Sequence, residues 1–426
     1  MTTDNSYHVV ANTTFLTVNF LLDGVVITGG RADGSSDNSN GGGLVNAAAS
    51  NQSSGLTLRS CLFTGNYASG SGGALVNFAY ANGFAAIDAT DCVFNNNVAL
   101  YRGGAVLNGK TDLNPVNAVN QGRNQLTMTA CQFTRNNTQN IAGEGGAMYL
   151  NSAGDATVST FNRCRFDLNY SYTGGVLYNL SGSPVFKNCG FTRNYAFNYG
   201  GVIYTYSPTN STSPNFTNCS FTANPNRSDA TAVGAVLYLG QRATVQFTNS
   251  IIFGNGGNNT LFNDDSPQST ITATSSLLDN TVINYTGTGV NTTGTSPFSN
   301  TSTLTVYVCA PVKDGSNATA TTAFLGNTDL AGNARIVGTA ADLGAVEYQS
   351  AFPPGPSAGA ISSNGITGTI VLCPGISVPN MQSQADGFSN RGYSWQSSTN
   401  GAAYTTIPNE MGLGLRVSVK LSVPAS

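Results

Sequence analysis

The most reactive side chains in this 426-residue chain are its eight cysteines, and six of them recur regularly, at Cys61, Cys92, Cys131, Cys164, Cys189 and Cys219, every 25 to 39 residues. Metal binding would call for close pairs of the Cys-x-x-Cys kind, which this spacing does not provide. Disulfide bridging needs side-chain vectors that converge, whereas equivalent positions of stacked repeats point in parallel into a common interior. The remaining use is packing, with each thiol a small buried hydrophobe. His8 is the sole histidine, so a His-based metal site and a hydrolytic triad both lack a partner. Asp264-Asp265 is the sole adjacent acidic pair and sits beside Asn263 and Ser266. It is the candidate for a Ca²⁺ or sugar site, against the commoner use of such a pair as solvated turn residues. Asp88 and Asp91 are placed to meet Arg59 as a surface ion pair.

The elements that position these residues follow from the repeat. Each of the six cysteines has a Phe two residues on (Phe63, Phe94, Phe133, Phe166, Phe191, Phe221) and an Asn five residues on (Asn66, Asn97, Asn136, Asn169, Asn194, Asn224). A seventh copy, Ser250 to Asn255, keeps the Asn, replaces Cys by Ser and shifts the aromatic to Phe253. A second signature follows: Gly72-Gly73-Ala74, Gly103-Gly104-Ala105, Gly145-Gly146-Ala147, Gly174-Gly175-Val176, Gly200-Gly201-Val202 and a reduced Gly234-Ala235. Gly42-Gly43-Leu44 is an earlier copy, and Tyr or Asn recurs just after the pair, as at Tyr149, Asn151, Tyr178 and Asn179. A third short segment, such as Leu126 to Ala130 or Thr244 to Asn249, completes the unit. Each unit thus reads as three short strands and three corners. Between Cys and Phe the residue varies freely, so Cys and Phe face inward and the residue between them faces water.

Repeats of this length, with no segment of helical periodicity, predict an all-β, right-handed parallel β-helix, a solenoid in which every coil stacks on the one before. Seven coils at about 4.8 Å each give a rod of roughly 30 Å. Phe stacks on Phe and Cys on Cys, while the Asn residues bond amide to amide along the axis and allow a left-handed corner. Asp342 to Tyr348 closes the region, with Ser275 to Leu278 a partial last coil. The expected domains are 1–349 for the β-helix, 350–359 for a Pro/Gly linker, and 360–426 for a truncated Ig-like β-sandwich, where Ile370, Leu372, Tyr393 and Trp395 carry the alternation.

Composition narrows the function. Charged residues make up 9% of the chain, the net charge is −3 and no basic run occurs, which argues against nucleic acid. With 40% hydrophobic residues, 21 Phe and 18 Tyr, the chain folds. No apolar run reaches the roughly 18 residues of a transmembrane helix, and no leader is legible at the N-terminus.

The Cys-x-Phe-x-x-Asn and Gly-Gly-Ala motifs resemble the repeats of chlamydial polymorphic outer-membrane proteins and related bacterial β-helix proteins. Asn5 to Val10, Leu22 to Gly30 and Asp342 to Tyr348 look like the choice-of-anchor Q group, and Cys373-Pro374-Gly375 with Tyr393 to Ser398 resembles Ig-like modules of the Bacteroidetes. The resemblance implies export to the extracellular space or the outer-membrane surface of a Gram-negative bacterium. A leader and a sorting domain are then expected outside these residues, and the chain reads as a fragment.

Two functions remain open. Polysaccharide lyases and hydrolases also use β-helices, and need carboxylates grouped on neighbouring coils. The column three after Cys holds a single acid, Asp167, the next column holds Arg135 and Arg193, and the long insert Gly109 to Asn124 contributes only Asp112. The favoured alternative is a non-catalytic surface protein for adhesion, glycan or protein binding, or structural display, with no cofactor. Its candidate ligand-binding residues are Tyr170, Tyr172, Tyr195 and Tyr199, corner aromatics like Tyr67 and Tyr101, whose competing role is packing between corners.

Overall fold

The computed structural model describes residues 7–13, 20–109, 122–152, 157–208, 212–225, 234–256, 260–264, 268–282, 284–307, 312, 315–316, 327–337 and 340–349, with the backbone alone of five short strands beyond residue 360. Among these the chain is a parallel β-helix with one short 3₁₀ turn, Ser36–Ser39. Four parallel sheets run along it. Face 1 holds nine strands, from Val10–Asn12 to Leu261–Asn263, and face 2 nine, from Phe20–Asp23 to Thr270–Thr274. Face 3 holds ten, from Val26–Thr28 to Asn291–Thr293, and face 4 six, from Arg31–Ala32 to Tyr195–Tyr199. One coil, Leu44–Ala48, Ser53–Arg59, Leu62–Thr64 and Tyr67–Ala68, visits all four in turn.

Two expectations change here. The unit has a fourth side: between the Asn corner and the Gly pair lies a strand of as few as two residues, too short to leave an alternating pattern in sequence. The coils also number nine to ten, so the rod is nearer 40 Å at about 4.8 Å per coil. The first coil escapes the motif because Ile27 stands level with Phe63 and the Gly30 N–H donates to Asn66 Oδ1 where a ladder Asn N–H would.

Residues of left-handed backbone turn the corners, and three sets of them align in columns. One precedes Cys (Ser60, Asp91, Ala130, Arg163, Asn188, Asn218, with φ from 48° to 54°), and one precedes the ladder Asn (Gly65, Asn96, Arg135, Leu168, Arg193, Ala223). The Asn itself is therefore not the left-handed residue. The third is the first Gly of each pair, where a side chain has no room: a Cβ on Gly145 would sit 2.0 Å from the Met148 carbonyl oxygen.

The ladder Asn instead satisfies the corner it follows. Asn136 donates from Nδ2 to Asn169 Oδ1 (3.0 Å) and to the Phe94 carbonyl (2.8 Å). Its Oδ1 accepts from the backbone N–H and Nδ2 of Asn97, both at 3.0 Å. Two donors and two acceptor sites are all used, and the pattern runs from Asn66 to Asn255. Beside it Phe63, Phe94, Phe133, Phe166, Phe191 and Phe221 form a fully buried stack with centroids 4.5 to 5.0 Å apart. A second stack on face 2, Phe161, Phe186, Phe216 and Phe247, meets it edge to face. Each such ring contributes about 2 kcal/mol by burial. In the seventh copy Ile252, not Phe253, occupies the Phe column, because Ile252 stands level with Phe221.

All six repeat cysteines are buried free thiols. Each donates to the carbonyl two residues before it, as Cys189 does to Lys187 at 3.2 Å. Ser250 and Ser276 continue the column and make the same bond at 3.0 and 2.9 Å. The position is thus a corner donor as well as a small packing residue. Burial pushes the Cys61, Cys164 and Cys189 thiols above the ordinary range. For Cys92 and Cys131 the thiol of the next coil is the larger cause, with burial adding to it.

The described residues between 296 and 348 include a segment docked on the outward side of face 3. Gly190 lies under Leu304 and Leu330, Gly344 donates to the Asn249 carbonyl (2.8 Å), and Ala345 donates to Ser220 Oγ (2.9 Å). The small residues Gly190 and Ser220 in the otherwise variable column after Cys make this docking possible. One compact unit comprises 1–307 and 311–348. The expected linker at 350–359 and the Ig-like module at 360–426 lie outside the described residues, apart from the five short strands. Among the described residues no helix is long and apolar enough to cross a membrane.

Candidate functional site

Face 1 presents two outward columns, and their sizes change along the rod. The first reads Ala11, Val45, Val76, Leu107, Tyr149, Tyr178, Tyr204, Tyr238 and Phe262. From Tyr149 onward the rings stack at 4.7 to 5.3 Å. Rings stacked along the axis cover one another's faces and turn edges and hydroxyls outward. Arg102 lies over Tyr149 (5.3 Å) and pairs with Glu144 (2.7 Å). Burial raises the phenols of Tyr149, Tyr178 and Tyr238 and pushes Tyr204 up to about 12, so the ladder stays neutral.

Where the same columns carry small residues a pocket of about 490 Å³ opens. Its floor is Val45, Ala47, Val76, Leu107 and Gly109, with Phe78 as an aromatic wall. Gly109 cannot be enlarged, since a Cβ there would stand 2.2 Å from the Asn151 carbonyl oxygen. The rim is polar: His8 and Thr13 on one side, and Asp37, Asn38 and Asn40 from the 3₁₀ turn on the other. Tyr80 packs edge-on to Phe78 (5.2 Å) and donates its hydroxyl to Asp37 Oδ2 (3.2 Å). His8 Nδ1 lies 2.9 Å from the Gly41 carbonyl oxygen. Asn40 is fixed by accepting the Ser71 N–H (2.8 Å), which leaves Asp37 and Asn38 as the exposed polar groups of that rim.

The four tyrosines singled out in sequence lie on two neighbouring strands of face 4, Tyr170–Thr173 and Tyr195–Tyr199, with Tyr170 level with Tyr195. Tyr170 is 47% exposed there, and Phe197 packs against both Tyr172 and Tyr195. Tyr199 leans toward face 1, 4.7 Å from Tyr238. Asp264 accepts the Tyr238 hydroxyl (2.6 Å) at the far end of the ladder, and Asp265 lies outside the described residues. Among the described residues no group of three metal-ligating side chains comes together. Asp167 is not isolated: Arg193, one coil on, grips it with Nε (2.9 Å) and Nη2 (2.6 Å), and Thr192 adds a third bond. Asp88 stands level with Thr57, and Arg59 level with Thr90. No ion pair joins Arg59 to Asp88 or Asp91 among the described residues.

Sequence reasoning missed two features. The face-1 column had a signal, since its Tyr falls four residues after the first Gly of each pair, whereas the earlier coils have Val45, Val76 and Leu107 there. The other is a buried charge group in the closing segment, made of Asp329, Arg335, Asp342 and Glu347, each at most 1% exposed. Its carboxylates are taken up by backbone N–H groups: Asp329 by Asn333 and Glu347, Asp342 by Tyr348, and Glu347 by Val337 and Asp342. Arg335 donates to the Asp342 and Gly344 carbonyls. Burial pushes Glu347 up to about 7. This group ties a loop and offers a substrate no approach.

Comparison with models of known protein families, with curated proteins and with solved structures returns no match.

Proposed function

We propose that the protein is a non-catalytic, displayed β-helix rod that binds a ligand in the pocket at the start of face 1, in the service of adhesion or surface display. The observation that supports this reading is the make-up of the pocket. Its described lining combines an apolar floor and an aromatic wall with one carboxylate, Asp37. Glycoside chemistry calls for two carboxyl groups roughly 5 to 9.5 Å apart across a sugar, and a lyase for a base beside a cation cluster. The acids that do come together, in the closing segment, are committed to backbone N–H groups.

The finer assignments belong to the same proposal. Right-handed winding follows the general preference of crossovers between parallel strands. Kinship with the choice-of-anchor Q and polymorphic outer-membrane proteins, a partial Ig-like module after residue 360, and placement outside a Gram-negative cell rest on the motifs quoted above. The protein should be incubated with neutral and uronate-rich polysaccharides, followed by reducing-end and unsaturated-product assays and by pull-down on the same polymers. Retention on at least one of these polymers without new ends is expected; turnover would reverse the reading in favour of a carbohydrate-active enzyme.

A further inference from the structure

We propose that the face-1 pocket takes a short, neutral oligosaccharide, an inference that rests on the binding reading above and names its ligand class. A pyranose ring has two chemically different parts, C–H faces that are apolar and a rim of vicinal hydroxyls. The pocket is divided in the same way. Phe78 and the Val45, Ala47 and Val76 floor offer apolar contact, while Asp37 and Asn38 offer planar groups that bridge neighbouring hydroxyls.

Phe78 is suited to stacking because its column neighbours, Ala47 before it and Gly109 after it, bring no ring onto it, and Tyr80 meets it edge to face rather than stacked. The Tyr ladder farther along cannot do this, since each ring there hides the next. The volume of about 490 Å³ falls within the roughly 300 to 1,000 Å³ of small-molecule sites. Charge bears on the class: among the described lining residues Asp37 is the one carboxylate and none is Lys or Arg, so a uronate or sulfate would meet a repelling carboxylate there. The Tyr80 hydroxyl holds Asp37 in place, which lowers the entropy lost on binding.

The test is calorimetric titration of the full chain with maltotriose, cellotriose, mannotriose and chitotriose, and with trigalacturonate as the acidic probe. At least one neutral probe is expected to bind with a Kd below about 1 mM. Ala47→Phe, which lays a second ring on Phe78 as neighbouring Phe residues already do inside the rod, is expected to weaken that binding at least tenfold. Asn38→Ala, on the exposed rim, serves as the second variant and is expected to weaken it severalfold. Tighter binding of trigalacturonate than of every neutral probe, no binding of any neutral probe, or binding that both variants leave unchanged would each overturn the proposal. Release of reducing ends in the same samples would instead overturn the non-catalytic reading and leave the ligand class standing.

Discussion

The Asn66 to Asn255 corner and the outward side of face 1 are both built from columns of equivalent residues, yet they behave in opposite ways. At the corner each of these coils supplies the same side chain, and each amide from Asn97 to Asn224 uses all its hydrogen-bonding capacity on the adjoining coils. Nothing is left over for a ligand. On face 1 the column is graded from Ala11 and Val45 to Tyr149 and Tyr238, and the pocket opens at its small end. Uniform columns hold the rod, and a change of residue size within a column opens a pocket.

The sharpest way to break this contrast is to remove one member of the uniform column. Asn136→Ala would strip acceptors from the Asn97 N–H and Nδ2 and donors from the Phe94 carbonyl and Asn169 Oδ1. Several buried polar groups would lose partners at once, for a loss of about 3 kcal/mol or more in denaturant unfolding. A loss below about 1 kcal/mol would show that the ladder is not what fixes the corner.

Next in size is a pH effect in the segment docked on face 3. Glu347, ordinarily near 4.5, is pushed up to about 7 by burial, with the Val337 and Asp342 N–H groups and Arg335 opposing the rise. Its folded value lies above its unfolded one, so the folded segment favours the protonated form. The resulting stabilisation is fully present below about pH 4.5 and lost as pH rises through about 7, a swing on the order of 2 kcal/mol. The protection factors of residues 329–337 and 340–347, that is, exchange corrected for its intrinsic base-catalysed rate, should therefore be higher at pH 5 than at pH 8, and Glu347→Gln should flatten the difference. Equal protection at both pH values would contradict this.

Smaller still is the effect of Cys131→Ser, because Ser250 and Ser276 already fill this column with the same bond to the carbonyl two residues earlier. The expected cost is under about 1 kcal/mol in the same unfolding assay. All six repeat thiols should be silent to a thiol reagent until the protein unfolds; a native-state reaction would place them elsewhere.

How far the sequence reaches follows the same division. The Phe and Asn columns are legible because one residue type repeats at fixed offsets from Cys, and packing makes that repetition necessary. The fourth side was hidden because two residues such as Tyr67–Ala68 cannot show a period. The pocket is hidden for another reason: Val45 and Val76 are unremarkable residues whose meaning depends on Tyr149 standing at the same register coils away, and Ala47 matters because it stands level with Phe78. Of the buried Asp329, Arg335, Asp342 and Glu347 group the sequence shows only the closing segment Asp342 to Tyr348, since Asp329 and Arg335 join it through tertiary contacts that no local pattern marks.

The most direct measurement is thermal unfolding of the wild-type chain and of Ala47→Phe, each with and without the neutral trisaccharide that binds best. If columns that build and columns that bind are separable, the two proteins unfold at the same temperature without ligand, and saccharide raises the midpoint of the wild type alone. A large fall in the unliganded Ala47→Phe midpoint, or an equal rise in both proteins, would contradict the account.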